Sequence, residues 1–153
     1  VGRTDRASLL VHVSTAEAFA ALTDRDALLA WLPPAGMRGR FDRFDMRTGG
    51  SYRLVLTYAD ASGSPGKTTA GSDVSEVRVV EVVPGERVVQ EVEFASDDPA
   101  FRGTMRMEWR LRPAEDGTEV EVVARDVPPG VRARDHAEGI LSSLAQLAAH
   151  LEP

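Results

Sequence analysis

A chain of 153 residues, 42% hydrophobic and 27% charged, suffices for one globular domain with a single core, so residues 1–153 are expected to form one unit. The formal charge of −6 argues against nucleic acid as a partner, and the lack of Cys excludes disulfides and thiolate metal sites, which suits a reducing cytoplasm. The sequence contains neither a secretion-type leader pattern nor an uninterrupted apolar run of spanning length, so no membrane partner is expected.

Leu9, Val11 and Val13 alternate with Leu10 and His12, which predicts a short strand. Ser14 and Glu17 then stand at capping-box spacing ahead of a helix through Leu22. Thr23-Asp24-Arg25-Asp26 offers the same start again, for a second helix that reaches Trp31-Leu32 and is stopped by Pro33-Pro34. From Met37 onward the pattern is that of strands. Thr48-Gly49-Gly50 separates residues 39–46 from residues 51–58, in which Tyr52, Leu54, Leu56 and Tyr58 share a face. Residues 59–72 are rich in Gly, Ser and Pro and read as a long loop. In residues 74–83 the pairs Val79-Val80 and Val82-Val83 break the alternation, so a bulge or burial on both faces is expected. Val83-Pro84-Gly85-Glu86 has the composition of a type II turn.

Residues 101–112 carry the clearest period-two signal. Phe101, Gly103, Met105, Met107, Trp109 and Leu111 fall on one face, and Arg102, Arg106, Arg110 and Arg112 on the other. Glu91 and Glu93 precede this arginine row and Glu119 and Glu121 follow it, which predicts cross-strand charge pairing and fixes the order of three strands. Asp116-Gly117 forms the next turn, after which Val120, Val122 and Ala124 face inward. Residues 132–151 close the chain as an amphipathic helix on the order of 30 Å long, with Ile140, Leu141, Leu144, Leu147, Ala148 and Leu151 on its apolar face. Runs of strands with helices at the ends imply an α+β fold with an antiparallel sheet.

Five segments carry a family resemblance. They are Ala18-Phe19-Ala20-Ala21-Leu22-Thr23-Asp24, Leu28-Leu29-Ala30-Trp31-Leu32-Pro33-Pro34, Gly49-Gly50-Ser51-Tyr52-Arg53, Val83-Pro84-Gly85-Glu86-Arg87 and Asp135-His136-Ala137-Glu138-Gly139. In order and spacing the chain resembles bacterial single-domain relatives of the C-terminal domain of the ninety-kilodalton heat-shock chaperone's ATPase activator. These belong to the START-like, or SRPBCC, superfamily. The resemblance implies a helix-grip fold: a curved antiparallel sheet of six to seven strands wrapped around the C-terminal helix, with two short helices after the first strand. It also implies a cavity for an apolar ligand, a chaperone as partner in an ATPase-modulating role, or lyase or cyclase chemistry in the same cavity. Arg132 departs from the pattern, standing where a Ser or Thr cap is expected.

A cavity has its own physical argument. Six or seven strands spaced ~4.8 Å apart make a layer roughly 30 Å wide, whereas one helix is only ~10–12 Å across. With 6% aromatic residues, filling the uncovered face completely looks difficult, so a small apolar or aromatic molecule is the expected partner. The expected wall is Trp31, Tyr52, Leu54, Leu56, Met105, Met107, Trp109, Ile140 and Leu144. Gln90 and His136 are the candidate polar groups. Gln90 shares the apolar side with Val88, Val92 and Phe94, so it is either a ligand contact or an edge residue touching water. His136 is either a cleft-facing hydrogen-bonding group or general base, or a helix-end histidine bonded to nearby backbone. Gly139 is expected to permit close approach of helix and sheet.

No cofactor is expected, and no metal site, since His12, His136 and His150 do not pair at ligand spacing. Residues 61–68 fit a relaxed phosphate-loop pattern ending in Gly66-Lys67-Thr68. A strand rather than a helix follows, which removes the amides such a loop relies on.

Overall fold

A computed structural model describes residues 3–58, 72–93 and 98–153. Most of the Gly/Ser/Pro-rich loop, the phosphate-loop-like residues 61–68 and Phe94 lie outside them. The described elements run β1 (Arg3–Val11), α1 (Thr15–Thr23), α2 (Arg25–Trp31), β2 (Met37–Phe44), β3 (Ser51–Tyr58), β4 (Ser72–Val83), β5 (Arg87–Glu93), β6 (Thr104–Ala114), β7 (Gly117–Val127) and α3 (Ala133–Leu151). A short 3-10 turn, Pro99–Phe101, precedes β6, so Phe101 is not part of that strand.

Local chemistry explains most boundaries. The Ser14 hydroxyl accepts from the Glu17 amide at 3.1 Å to start α1, and the Asp24 carboxylate accepts from the Ala27 amide at 2.9 Å to start α2. Asp24→Ala is expected to cost about 1 kcal/mol, read as a lower urea midpoint at unchanged slope. Arg132 sits at the N-cap of α3 and gives no side-chain cap there. The Glu86 amide closes the Val83–Glu86 turn onto the Val83 carbonyl at 3.0 Å with Gly85 at φ 73°, as the composition requires. Gly117 is irreplaceable for a different reason: a Cβ there would lie 2.0 Å from the Val11 carbonyl oxygen.

All pairings among the seven described strands are antiparallel, in the order β1-β7-β6-β5-β4-β3-β2. The expected charge rows set the register of β5, β6 and β7. Arg106 stands opposite Glu91, Arg110 opposite Glu121 and Arg112 opposite Glu119. The side chains choose partly different partners: Glu91 pairs with Arg78 of β4, while Arg112 holds Glu119. These pairs are solvated and each contributes little. The register slips between Val79 and Glu81, which puts the expected bulge at Val80.

One expectation of the fold is corrected. The sheet does not curve around the C-terminal helix. It is an open layer with β1 and β2 at opposite edges, and α3 lies closest to the edge strand β1, with α1 and α2 beside it. The width mismatch is met by two apolar clusters bridged by Leu32, Phe41 and Phe44. In one, Ile140, Leu144 and Leu147 of α3 pack with Val120, Val122, Leu111 and Trp109. In the other, Tyr52, Leu54, Val77 and Val79 form the floor, topped by Leu29 and Leu32, with Phe41 and Phe44 alongside. Phe41, Phe44 and Tyr52 stack there with ring centroids 4.7 to 6.1 Å apart. Three of the aromatics are gathered at this end of the layer. Leu141 is also corrected: it is 51% exposed rather than part of the apolar face of α3.

Candidate functional site

Beside α3, within the first cluster, the inner face is not fully covered. A cleft of about 360 Å³ opens between one flank of α3 and the inner side of β6 and β7. This lies within the ~300–1,000 Å³ range of small-molecule sites. Met107 and Trp109 of β6 and Val122 of β7 form its floor, and Leu32 and Pro34 form one side. From α3 it receives His136, Gly139, Ile140, Ser142, Ser143 and Gln146. Residues 136, 139, 143 and 146 follow one another at helical spacings of three and four, with Ile140 beside them, so they make a continuous stripe along the helix. The Gln146 side-chain amide donates to the carbonyls of Trp31 (2.6 Å) and Pro33 (3.1 Å), fixing α3 to the end of α2 and defining that end of the cleft.

Gly139 does not serve the close approach expected of it. A Cβ built at this position meets nothing within 4 Å, and the residue borders the cleft. A glycine inside a helix costs about 1 kcal/mol relative to alanine. Here that cost has no steric cause, because the Cβ position of this exposed residue faces open space.

The other end of the cleft is built from charge. His136 Nδ1 lies 2.8 Å from the Asp5 carboxylate, and both side chains are largely buried, 15% and 10% exposed. Asp5 in turn accepts from Arg3 through Nε (2.9 Å) and a terminal guanidinium nitrogen (3.0 Å). The same guanidinium donates to the Val131 carbonyl just before α3. So His136 is held by a carboxylate across from its helix, not by the nearby backbone. The Arg3 hydrogen bonds hold the Asp5 carboxyl below the usual carboxylate range; burial opposes them and the His136 hydrogen bond assists.

A lowered native-state value means that Asp5 contributes stability above its unfolded-state value of ~3.9, and that this contribution is lost as pH falls through the native one. Asp5→Asn is therefore expected to cost about 1–3 kcal/mol at neutral pH and to make stability fall less steeply below about pH 4. Urea unfolding repeated at several acidic pH values measures both.

The residues proposed from sequence are divided among four places. Met107, Trp109, His136 and Ile140 meet in the cleft. Trp31, Tyr52 and Gln90 surround a second void of about 30 Å³, with Trp109 and Leu32 lining both it and the cleft. That void has room for about one water. The Gln90 amide donates to the Tyr52 hydroxyl at 3.3 Å, so Gln90 is a buried, partnered side chain and not an edge residue. Burial pushes the Tyr52 phenol up to about 12, with the Gln90 hydrogen bond acting the other way. Leu54 and Leu56 belong to the second apolar cluster, Leu56 only partly buried. Met105 and Leu144 are buried in the first.

Asp5 lies on β1 ahead of Leu9, where the apolar alternation begins, so the apolar signal alone does not reach it. Carrying the alternation of Leu9 and Val11 backward through Ala7 puts Asp5 on the inner face, and it pairs opposite the fully buried Ala124. Ser143 and Gln146 carry no apolar signal, and their place in the cleft follows only from the position of α3 over the sheet.

An open antiparallel sheet with two short helices after its first strand, and a C-terminal helix bordering an apolar cleft, defines a START-like domain. A family model for "Activator of Hsp90 ATPase homolog 1-like protein" matches residues 12–152, and the chain belongs to that family. A crystal structure of a Chromobacterium violaceum protein is 30% identical, with 98% of this chain and 97% of that one covered and a TM-score of 0.82. The crystal structure of an AHSA1 protein from Silicibacter pomeroyi is 22% identical over 97% of both chains, with a TM-score of 0.78. An AHSA1-like protein from Aeromonas hydrophila, solved by NMR, is 12% identical, with 98% and 92% covered and a TM-score of 0.80. The last two likenesses concern the fold. No curated protein matches the chain. Among the described residues no helix is long and apolar enough to cross a membrane.

Proposed function

We propose that this protein binds a small apolar, chiefly aromatic molecule in the cleft beneath α3, acting in the cytoplasm as one domain. The cleft itself carries the reading: it is of ligand size with an apolar floor, and Gly139, a helix glycine with open space at its Cβ position, borders it. Met107, Trp109, Val122 and Ile140 supply an apolar wall, and methionine adapts to differently shaped rings. A thermal-shift screen of aromatic compounds tests it. A true ligand at about 100 times its Kd adds about 2.7 kcal/mol and a visible rise in Tm. No stabilisation by any compound at millimolar concentration would count against the reading.

A second reading is favoured more directly by the family itself, whose name refers to activation of the Hsp90 ATPase. In it the domain docks on a chaperone of that type and modulates its ATPase. The purified chaperone's turnover with and without this protein separates the two: a saturable change supports chaperone modulation, and unchanged turnover together with compound binding supports the cleft.

A further inference from the structure

The hydrogen bonding of His136 narrows the chemistry of the ligand. A carboxylate only accepts hydrogen bonds, so the 2.8 Å contact to Asp5 requires the proton on His136 Nδ1. In the neutral imidazole the other nitrogen, Nε2, then carries a lone pair and accepts. Asp5 cannot turn away, because two Arg3 nitrogens hold its oxygens and Arg3 is itself tied to the Val131 carbonyl. The tautomer is thus fixed from behind, and Nε2 is the ring nitrogen left for a ligand in a cleft whose floor is apolar.

We propose that the cleft selects a flat apolar molecule bearing a hydroxyl donor, a phenol in the simplest case, whose O–H donates to His136 Nε2 while its ring lies on Trp109 and Met107. Asp5 is a positioning residue that sets the direction of this hydrogen bond. The proposal rests on the cleft reading above and deepens it. A buried acceptor left unpaired by a ligand without the hydroxyl is penalised, and that penalty is the source of the selectivity.

The test compares 2-naphthol with 2-methoxynaphthalene, which keeps the ring system but has no O–H. Both are titrated calorimetrically at about pH 8. The wild type is expected to bind 2-naphthol about tenfold or more tightly than the ether. His136→Leu should remove that preference while leaving affinity for the ether within about twofold. Asp5→Asn should also erase it, because an amide can donate to Nδ1 and turn Nε2 into a donor. Equal wild-type affinity for the two compounds would overturn the proposal and leave the apolar cleft reading standing. An equal loss of both compounds in the variants would overturn it too, showing a packing role only. If neither compound binds the wild type, the cleft reading fails and this inference fails with it. The wild-type comparison needs no variant, so the outcome does not depend on how well the substitutions fold.

Discussion

Trp109→Ala is expected to destabilise the protein by about 3–5 kcal/mol, lowering Tm by on the order of 10 °C. Trp109 is only 7% exposed and meets Trp31 edge to face, with ring centroids 5.6 Å apart at 68°. That geometry adds about 0.5–1.5 kcal/mol beyond the area buried. Trp31 is itself anchored by its indole N–H on the Ala21 carbonyl at 2.9 Å, so it cannot swing over to fill the space. Trp109, like Leu32, lines both the 360 Å³ cleft and the 30 Å³ void, so losing the indole enlarges both. Leu147→Ala is the control. Leu147 is fully buried and contributes nothing to the cleft, so its loss should cost a similar ~2–5 kcal/mol without changing the shape of the site. Urea unfolding gives both costs, and compound binding to folded protein separates them.

Gly139→Leu is expected to do the reverse: keep or raise stability and abolish binding. A leucine in a helix interior is favoured over glycine by roughly 0.5–1 kcal/mol, and at this position its Cβ meets no neighbour within 4 Å. Gly139 borders the cleft, so a leucine side chain there takes up space at its edge. Affinity for any cleft ligand should drop by at least about a hundredfold, a loss of ~2.7 kcal/mol. Gly139→Ala should give the stability gain with a much smaller binding loss. If Gly139→Leu unfolds the protein, the position serves packing after all, and the argument from empty space fails.

Most of the architecture was legible because it is carried by local signals. The alternation at Met105, Met107, Trp109 and Leu111, the glutamate rows on either side, and the Ser14 cap all act over a few residues or across one strand pair. The shape of the layer was not legible, because it depends on how aromatics far apart in sequence gather. Phe41 and Phe44 on β2 meet Tyr52 on β3, and with Leu29 and Leu32 they cover the end that was expected to be hollow. The same clustering explains why the proposed wall residues separated. Tyr52 and Leu54 lie on β3, three and four strands away from β6 and β7 where the cleft opens. His136 was legible as a polar residue one turn before Ile140, but its carboxylate partner lies 131 residues away on β1, and only the folded chain places it there.

Methyl resonances of protein labelled at Ile, Val and Met, followed during titration with 2-naphthol, test the cleft most directly. Saturable one-to-one shifts concentrated at Met107, Val122 and Ile140, and absent from Gly139→Leu protein, are the predicted result. Shifts that never saturate, or that gather at the exposed Leu10 and Leu141 when leucine methyls are labelled as well, would contradict it.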